Sequence, residues 1–175
     1  IMSERIWRQT MKNKFIKECV WIIVILIVSI LTGTVLMIAS YALPTEPMKM
    51  HARETISMMA DEGDDYKWIL KDFTSMAANF TDSLMINTAV YDGKESLLEK
   101  ALLNPRTNYA EGTQTRKLIN ALQDVPGGDA FTYGRYWHGY LVILKPLLFI
   151  FNYYQIRWLN TIIGCSLISI IMIGF

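Results

Sequence analysis

Long apolar stretches flank a charged middle in this chain, and that division predicts its elements. Residues Cys19 to Leu43 form an uncharged run of 25 (CVWIIVILIVSILTGTVLMIASYAL). About 20 apolar helical residues cross a hydrocarbon core of roughly 30 Å, so the run predicts a transmembrane helix with some tilt. A secretory signal needs only a short apolar core, and the small residues Ala39, Ser40 and Ala42 leave a cleavable one open. From Gly139 the chain is again strongly apolar, but Lys145-Pro146 and Arg157 interrupt it. Proline removes a helical hydrogen bond and cations are costly at mid-bilayer, so two elements are expected here. The first, residues 139–159, reads as an interfacial or re-entrant helix whose Tyr140, Phe149, Phe151, Tyr153 and Tyr154 suit that depth. The second, residues 160–175, reads as the start of another span, too short to finish crossing, which predicts a fragment of a longer multi-pass protein.

Residues 44–138, between the apolar stretches, lean towards helix. Met48 to Met59 is Met-rich with interspersed charges and predicts either a helix lying on the membrane or an amphipathic packing helix. A turn follows at Asp61-Glu62-Gly63-Asp64-Asp65, whose carboxylates lack the full calcium-loop pattern and read as a solvated turn. Asn79 to Gly93 predicts a helix with Thr81 or Asp82 as its N-cap and Asp92-Gly93 as its stop. Leu97, Leu98, Ala101 and Leu102 form a stripe that ends at Asn104-Pro105. Leu118, Ile119 and Leu122 form another, before a Val125-Pro126-Gly127-Gly128 turn. The fold class expected is therefore an all-α membrane protein: transmembrane helices with a helical extracytoplasmic loop domain, small enough to act as a cap on the bilayer.

Charge sets the orientation. Residues 1–18 carry Arg5, Arg8, Lys12, Lys14 and Lys17 against Glu4 and Glu18, a net +3. Cations flanking a span stay on the cytoplasmic side, so the basic N-terminus is expected inside and the loop after Pro44 outside, in the plasma membrane. From Pro44 to His138 there are ten Lys and Arg and fourteen Asp and Glu, a net −4 hidden by the near-neutral total. The N-terminal cations are accounted for by this rule, so no nucleic-acid partner is implied. Gly127-Gly128 lacks the lysine of a phosphate loop. Cys19 and Cys165 fall towards opposite faces and imply no disulfide, and there is no zinc-ligand spacing.

The densest cluster of chemically capable side chains is Tyr133-Gly134-Arg135-Tyr136-Trp137-His138-Gly139-Tyr140. Aromatics at a membrane return often form an interfacial belt. Arg135, His138 and Lys145 would add up to three cationic donors at one depth, which suits a phosphate carried on a lipid. Tyr136, Trp137 and Tyr140 stand beside them as candidate substrate contacts.

This layout resembles the start of a GT-C superfamily glycosyltransferase. Asp82-Ser83-Leu84-Met85-Ile86-Asn87-Thr88-Ala89 is similar to an Asp-Glu-x-x-Tyr-x-x-x-Ala pattern of the first outer loop, with Ser83 replacing the second acid. His138-Gly139-Tyr140 is similar to a His-Pro-Pro-Leu-Tyr stretch without its prolines, and Ile156-Arg157-Trp158-Leu159-Asn160 to an Arg-Leu-x-Asn one. The resemblance implies transfer of a sugar from a polyprenyl-phosphate donor to a glycan or other hydroxyl acceptor on the outer face. Asp82 would be the catalytic base, with Arg135, His138 and Lys145 holding the donor phosphate. No cofactor is implied for certain, and a divalent metal stays open, since one carboxylate can act as a base but holding a cation takes more oxygen ligands. A membrane sensor with a ligand-binding outer domain is the alternative, although Lys145-Pro146 and Arg157 break what would be a clean signalling span. A transporter or assembly protein is the third reading, and Cys19 to Leu43 has no ionisable side chain of the kind that lines a transport path.

Overall fold

The computed structural model describes residues 2–64, 66–67, 76–132 and 138–174. Within them are seven helices and two short antiparallel strand pairs. The chain divides into two compact units, Ile1–Leu36 and Met37–Phe175.

The first unit is the bulk of helix α1 (Met2–Tyr41). From Lys14 to Tyr41 it is long and apolar enough to cross a membrane. Trp21, Ile25, Ile30 and Val35 are all exposed along it.

The second unit is built around helix α2 (Thr45–Glu62), whose Met48, Ala52, Thr55 and Met59 recur every three or four residues and are buried. The packing-helix reading of Met48 to Met59 therefore describes it. Pro44 precedes the helix, and Pro47 sits in the first turn, where the missing N–H has no intrahelical role. Helices α3 (Asn79–Ala89), α5 (Gln114–Leu122) and α6 (Leu141–Ile150) pack against α2. Their Ile86, Ala89, Leu118, Leu122, Leu141, Leu144 and Leu148 close one core with Met37 and Tyr41.

Two antiparallel pairs stand outside the all-α expectation: β1 (Tyr66–Lys67) with β2 (Met76–Ala77), and β3 (Arg106–Asn108) with β4 (Asp129–Phe131). Between them α4 (Leu97–Leu103) starts on a capping box, in which the Ser96 hydroxyl accepts from the Glu99 N–H and the Glu99 carboxylate accepts from the Ser96 N–H. Asn104 ends it in a left-handed conformation, φ 46°. The α4 stripe differs from expectation, since only Ala101 is buried and Leu97, Leu98 and Leu102 are exposed.

The C-terminal apolar stretch also divides elsewhere than the pattern predicts. The α6 helix ends at Ile150, Phe151 is extended, and α7 (Tyr153–Gly174) starts seven residues before Asn160. A reciprocal cap explains the position: the Asn152 side-chain oxygen accepts from the Gln155 N–H and the Gln155 side-chain oxygen accepts from the Asn152 N–H, both at 3.0 Å. With 22 residues, α7 is long and apolar enough to cross a membrane. By contrast, α6 buries Leu141, Leu144, Lys145 and Leu148 in the core, so it is a packing helix of this unit on that face.

Candidate functional site

Helix α3 has a cap different from the one its sequence predicts. It begins at Asn79, its flanking residue Ala78 makes no side-chain cap, and Thr81 and Asp82 fall inside the first turn. The Asp82 carboxylate is thereby free of capping and points at the start of α7. There the neighbouring Tyr153 hydroxyl lowers its proton affinity, and its Oδ2 lies 3.8 Å from Arg157 Nη2.

Arg157 is held from several sides. Its Nη1 donates to both oxygens of Glu62, at 2.8 Å and 3.1 Å. Nη2 donates to the Asn79 side-chain oxygen, and the guanidinium lies 5.0 Å above the Tyr153 ring centre. Asn79 closes the ring by donating from Nδ2 to Glu62 Oε2 at 2.9 Å and to the Gly63 carbonyl at 2.7 Å. Three elements thus meet at one guanidinium: the end of α2, the first turn of α3 and the second turn of α7. Burial raises the proton affinity of Asp82 above the usual carboxylate range, while the Tyr153 hydroxyl and the Arg157 charge pull it down and the Glu62 charge pushes it up.

A cavity of about 210 Å³ opens at this point, lined by Asp82, Tyr153, Arg157 and Asn160 on its polar side and by Ile86, Leu144 and Leu147 on its apolar side. A larger apolar groove of about 610 Å³ lies next to it and shares Met85 and Tyr140 with it. The groove is lined by Phe80, Leu84 and Phe131, with Arg106 and His138 among them. His138 Nδ1 is 3.4 Å from the Tyr140 hydroxyl, whose proton affinity burial raises.

The sequence-predicted residues therefore separate. Asp82 and Tyr140 share the smaller cavity, while His138 and Tyr140 share the groove. Arg135, Tyr136 and Trp137 lie outside the described residues. Lys145 does not join the expected cationic group, because it lines neither cavity. It is 1% exposed, donates to the Ala89 carbonyl at 2.6 Å and sits 4.5 Å over the Tyr41 ring, closing the C-terminus of α3. Asp64, expected in a solvated turn, instead accepts from the Gln114 and Thr115 N–H groups and the Thr115 hydroxyl, capping α5 from outside.

Glu62, Asn79 and Tyr153 carry the site without standing out in the sequence. A cap motif at Asn152 was the available signal for Tyr153 and Arg157, since it puts both on the first two turns of α7. Among the described residues no group of three His, Cys, Asp or Glu stands together to hold a metal. The two carboxylates of this cluster, Glu62 and Asp82, both engage the Arg157 guanidinium, so this donor set does not fit a divalent ion. Comparison with known proteins finds no protein family, no curated protein and no solved structure that matches the chain.

Proposed function

We propose that the protein is a membrane glycosyltransferase of the GT-C kind, moving a sugar from a polyprenyl-phosphate donor to a hydroxyl acceptor on the outer face of the plasma membrane. The observation that carries this reading is the Asp82 carboxyl. It is partly desolvated, raised in proton affinity, and set in a cavity at the head of a helix apolar enough to enter a bilayer.

A general base works best when its proton affinity approaches the working pH, and partial burial moves a carboxylate in that direction. The acceptor O–H gives its proton to Asp82 while its oxygen forms a bond to the anomeric carbon. The bond from that carbon to the phosphate oxygen breaks, and its electron pair leaves with the lipid phosphate. A single displacement inverts the anomeric centre. Asp82 lines the smaller cavity, and the groove that holds His138 adjoins it at Met85 and Tyr140. His138, with Arg135, is the donor-phosphate pair in this reading, and Tyr136, Trp137 and Tyr140 are its substrate contacts. The positive N-terminus supports the outward orientation.

The test is reconstitution of the protein from its intact gene into liposomes containing a radiolabelled polyprenyl-phosphate sugar. Protein-dependent transfer of label to an added glycan acceptor supports the reading, and label that stays on the lipid with every acceptor tried overturns it.

A further inference from the structure

We propose that Glu62 is a positioning residue that holds the Arg157 guanidinium back from Asp82, leaving the carboxylate basic enough to accept a proton. This rests on the reading of Asp82 as the base.

The geometry has a clear preference. Arg157 makes two hydrogen bonds to Glu62, the shorter at 2.8 Å, but stands 3.8 Å from Asp82, which is ion-pair distance without hydrogen-bond contact. Asn79 fixes this arrangement, since it accepts from Nη2 of Arg157 and donates to Glu62 and to the Gly63 carbonyl. A guanidinium forks readily onto carboxylates, and two compete for this one. The side chains of Glu62 and Arg157 are 15% and 23% exposed, so the competition runs where charges are weakly screened. Were Arg157 to close on Asp82, the carboxylate would be held ionised by a tight pair and would be a poorer proton acceptor.

The other groups facing Asp82 do not replace Glu62 in this role. Tyr153 of α7 and Tyr140, just before α6, line the cavity beside the carboxylate, and Tyr153 lowers its proton affinity. Asp64, in the turn after α2, is turned towards α5. Lys145 of α6 is at the opposite end of α3. Glu62 is the carboxylate that engages the guanidinium by hydrogen bonds among the described residues.

The experiment is the pH profile of kcat/KM for sugar transfer by the intact protein and its Glu62→Gln, Glu62→Asp and Asp82→Asn forms. Glu62→Gln keeps the shape and removes the charge. Its acid limb is expected to move to lower pH by on the order of one unit, with a lower plateau, as the raising charge of Glu62 is lost and Arg157 turns to Asp82. Glu62→Asp keeps the charge, and its acid limb is expected closer to wild type than that of Glu62→Gln. An unmoved acid limb in Glu62→Gln, with Asp82→Asn inactive, overturns the positioning role and leaves the base reading standing. Should Glu62→Gln fail to fold, Glu62→Asp, whose shorter side chain draws the carboxylate back from Arg157, is expected to lower the acid limb by less than about one unit, and a profile superimposing on wild type or displaced upwards overturns the positioning role. Full activity of Asp82→Asn removes the base and the positioning role together.

Discussion

Lys145 offers a stability prediction with a definite sign. Its ammonium is buried, donates to the Ala89 carbonyl and lies on the Tyr41 ring, yet desolvation, with some repulsion from Lys100, lowers its pKa from 10.5 to about 8. Between pH 8 and 10.5 the unfolded chain keeps this proton and the folded chain releases it, so folding is favoured as pH rises through that window. The difference of about 2.5 units corresponds to ~3 kcal/mol, at 1.36 kcal/mol per unit. In a protein of this size that amounts to roughly 6–12 °C in Tm. Lys145→Met fills much of the same space without the titrating group. Thermal unfolding of both proteins in one detergent, from pH 7 to 10.5, cancels the titrations they share. The wild type is expected to gain on Lys145→Met as pH rises, by up to the amount above. A wild-type minus mutant difference that stays constant from pH 7 to 10.5 would refute the reasoning.

Removing Asp64 takes three acceptor contacts from the start of α5, so Asp64→Ala is expected to lower stability by about 2–3 kcal/mol, with hydrogen exchange accelerated over residues 114–122. Asn152→Ala removes one half of the α7 cap and is expected to cost about 1 kcal/mol, read as faster exchange at residues 153–156 with the rest of α7 unaffected. In Gly128→Ala the new methyl would meet the Thr107 methyl at 2.6 Å and the Tyr109 ring at 2.9 Å. Lower Tm and loss of protection in the β3–β4 pair are expected, and an unchanged Tm would show that the neighbouring side chains give way.

Much of the architecture is legible because one-dimensional pattern is enough for it. An uncharged run as long as Cys19 to Leu43 has few alternatives to a long apolar helix, and the stripes of α2 and α5 follow the helical period onto buried faces. Caps whose partners are close in sequence, Ser96 with Glu99 and Asn152 with Gln155, carry a local signature that the reading by apolar period did not use. Proline at 146 outweighs that signal in a reading by hydropathy, although α6 accommodates it and breaks only at Phe151. The α4 leucines are periodic but exposed, since period says that a face is apolar and not what covers it.

The site is harder to read because its members meet only in three dimensions. Glu62 and Arg157 are 95 residues apart, and Asn79 and Arg157 are 78 apart. Asp82 looks like a helix cap by residue type, and only the earlier start of α3 frees it. Lys145 looks like a ligand-binding cation from its neighbours in sequence, yet its helix turns it into the core. The β3–β4 pair is three residues on each side, below the length at which alternation carries information.

The most direct test of the proposed function is the initial rate of sugar transfer by Asp82→Asn in the protein reconstituted in liposomes, at saturating polyprenyl-phosphate donor, with donor binding measured alongside. A general base contributes about 10²–10⁴-fold, so kcat is expected to fall by that order while donor affinity stays within about twofold. Turnover equal to wild type would contradict the assignment of Asp82 as the proton acceptor.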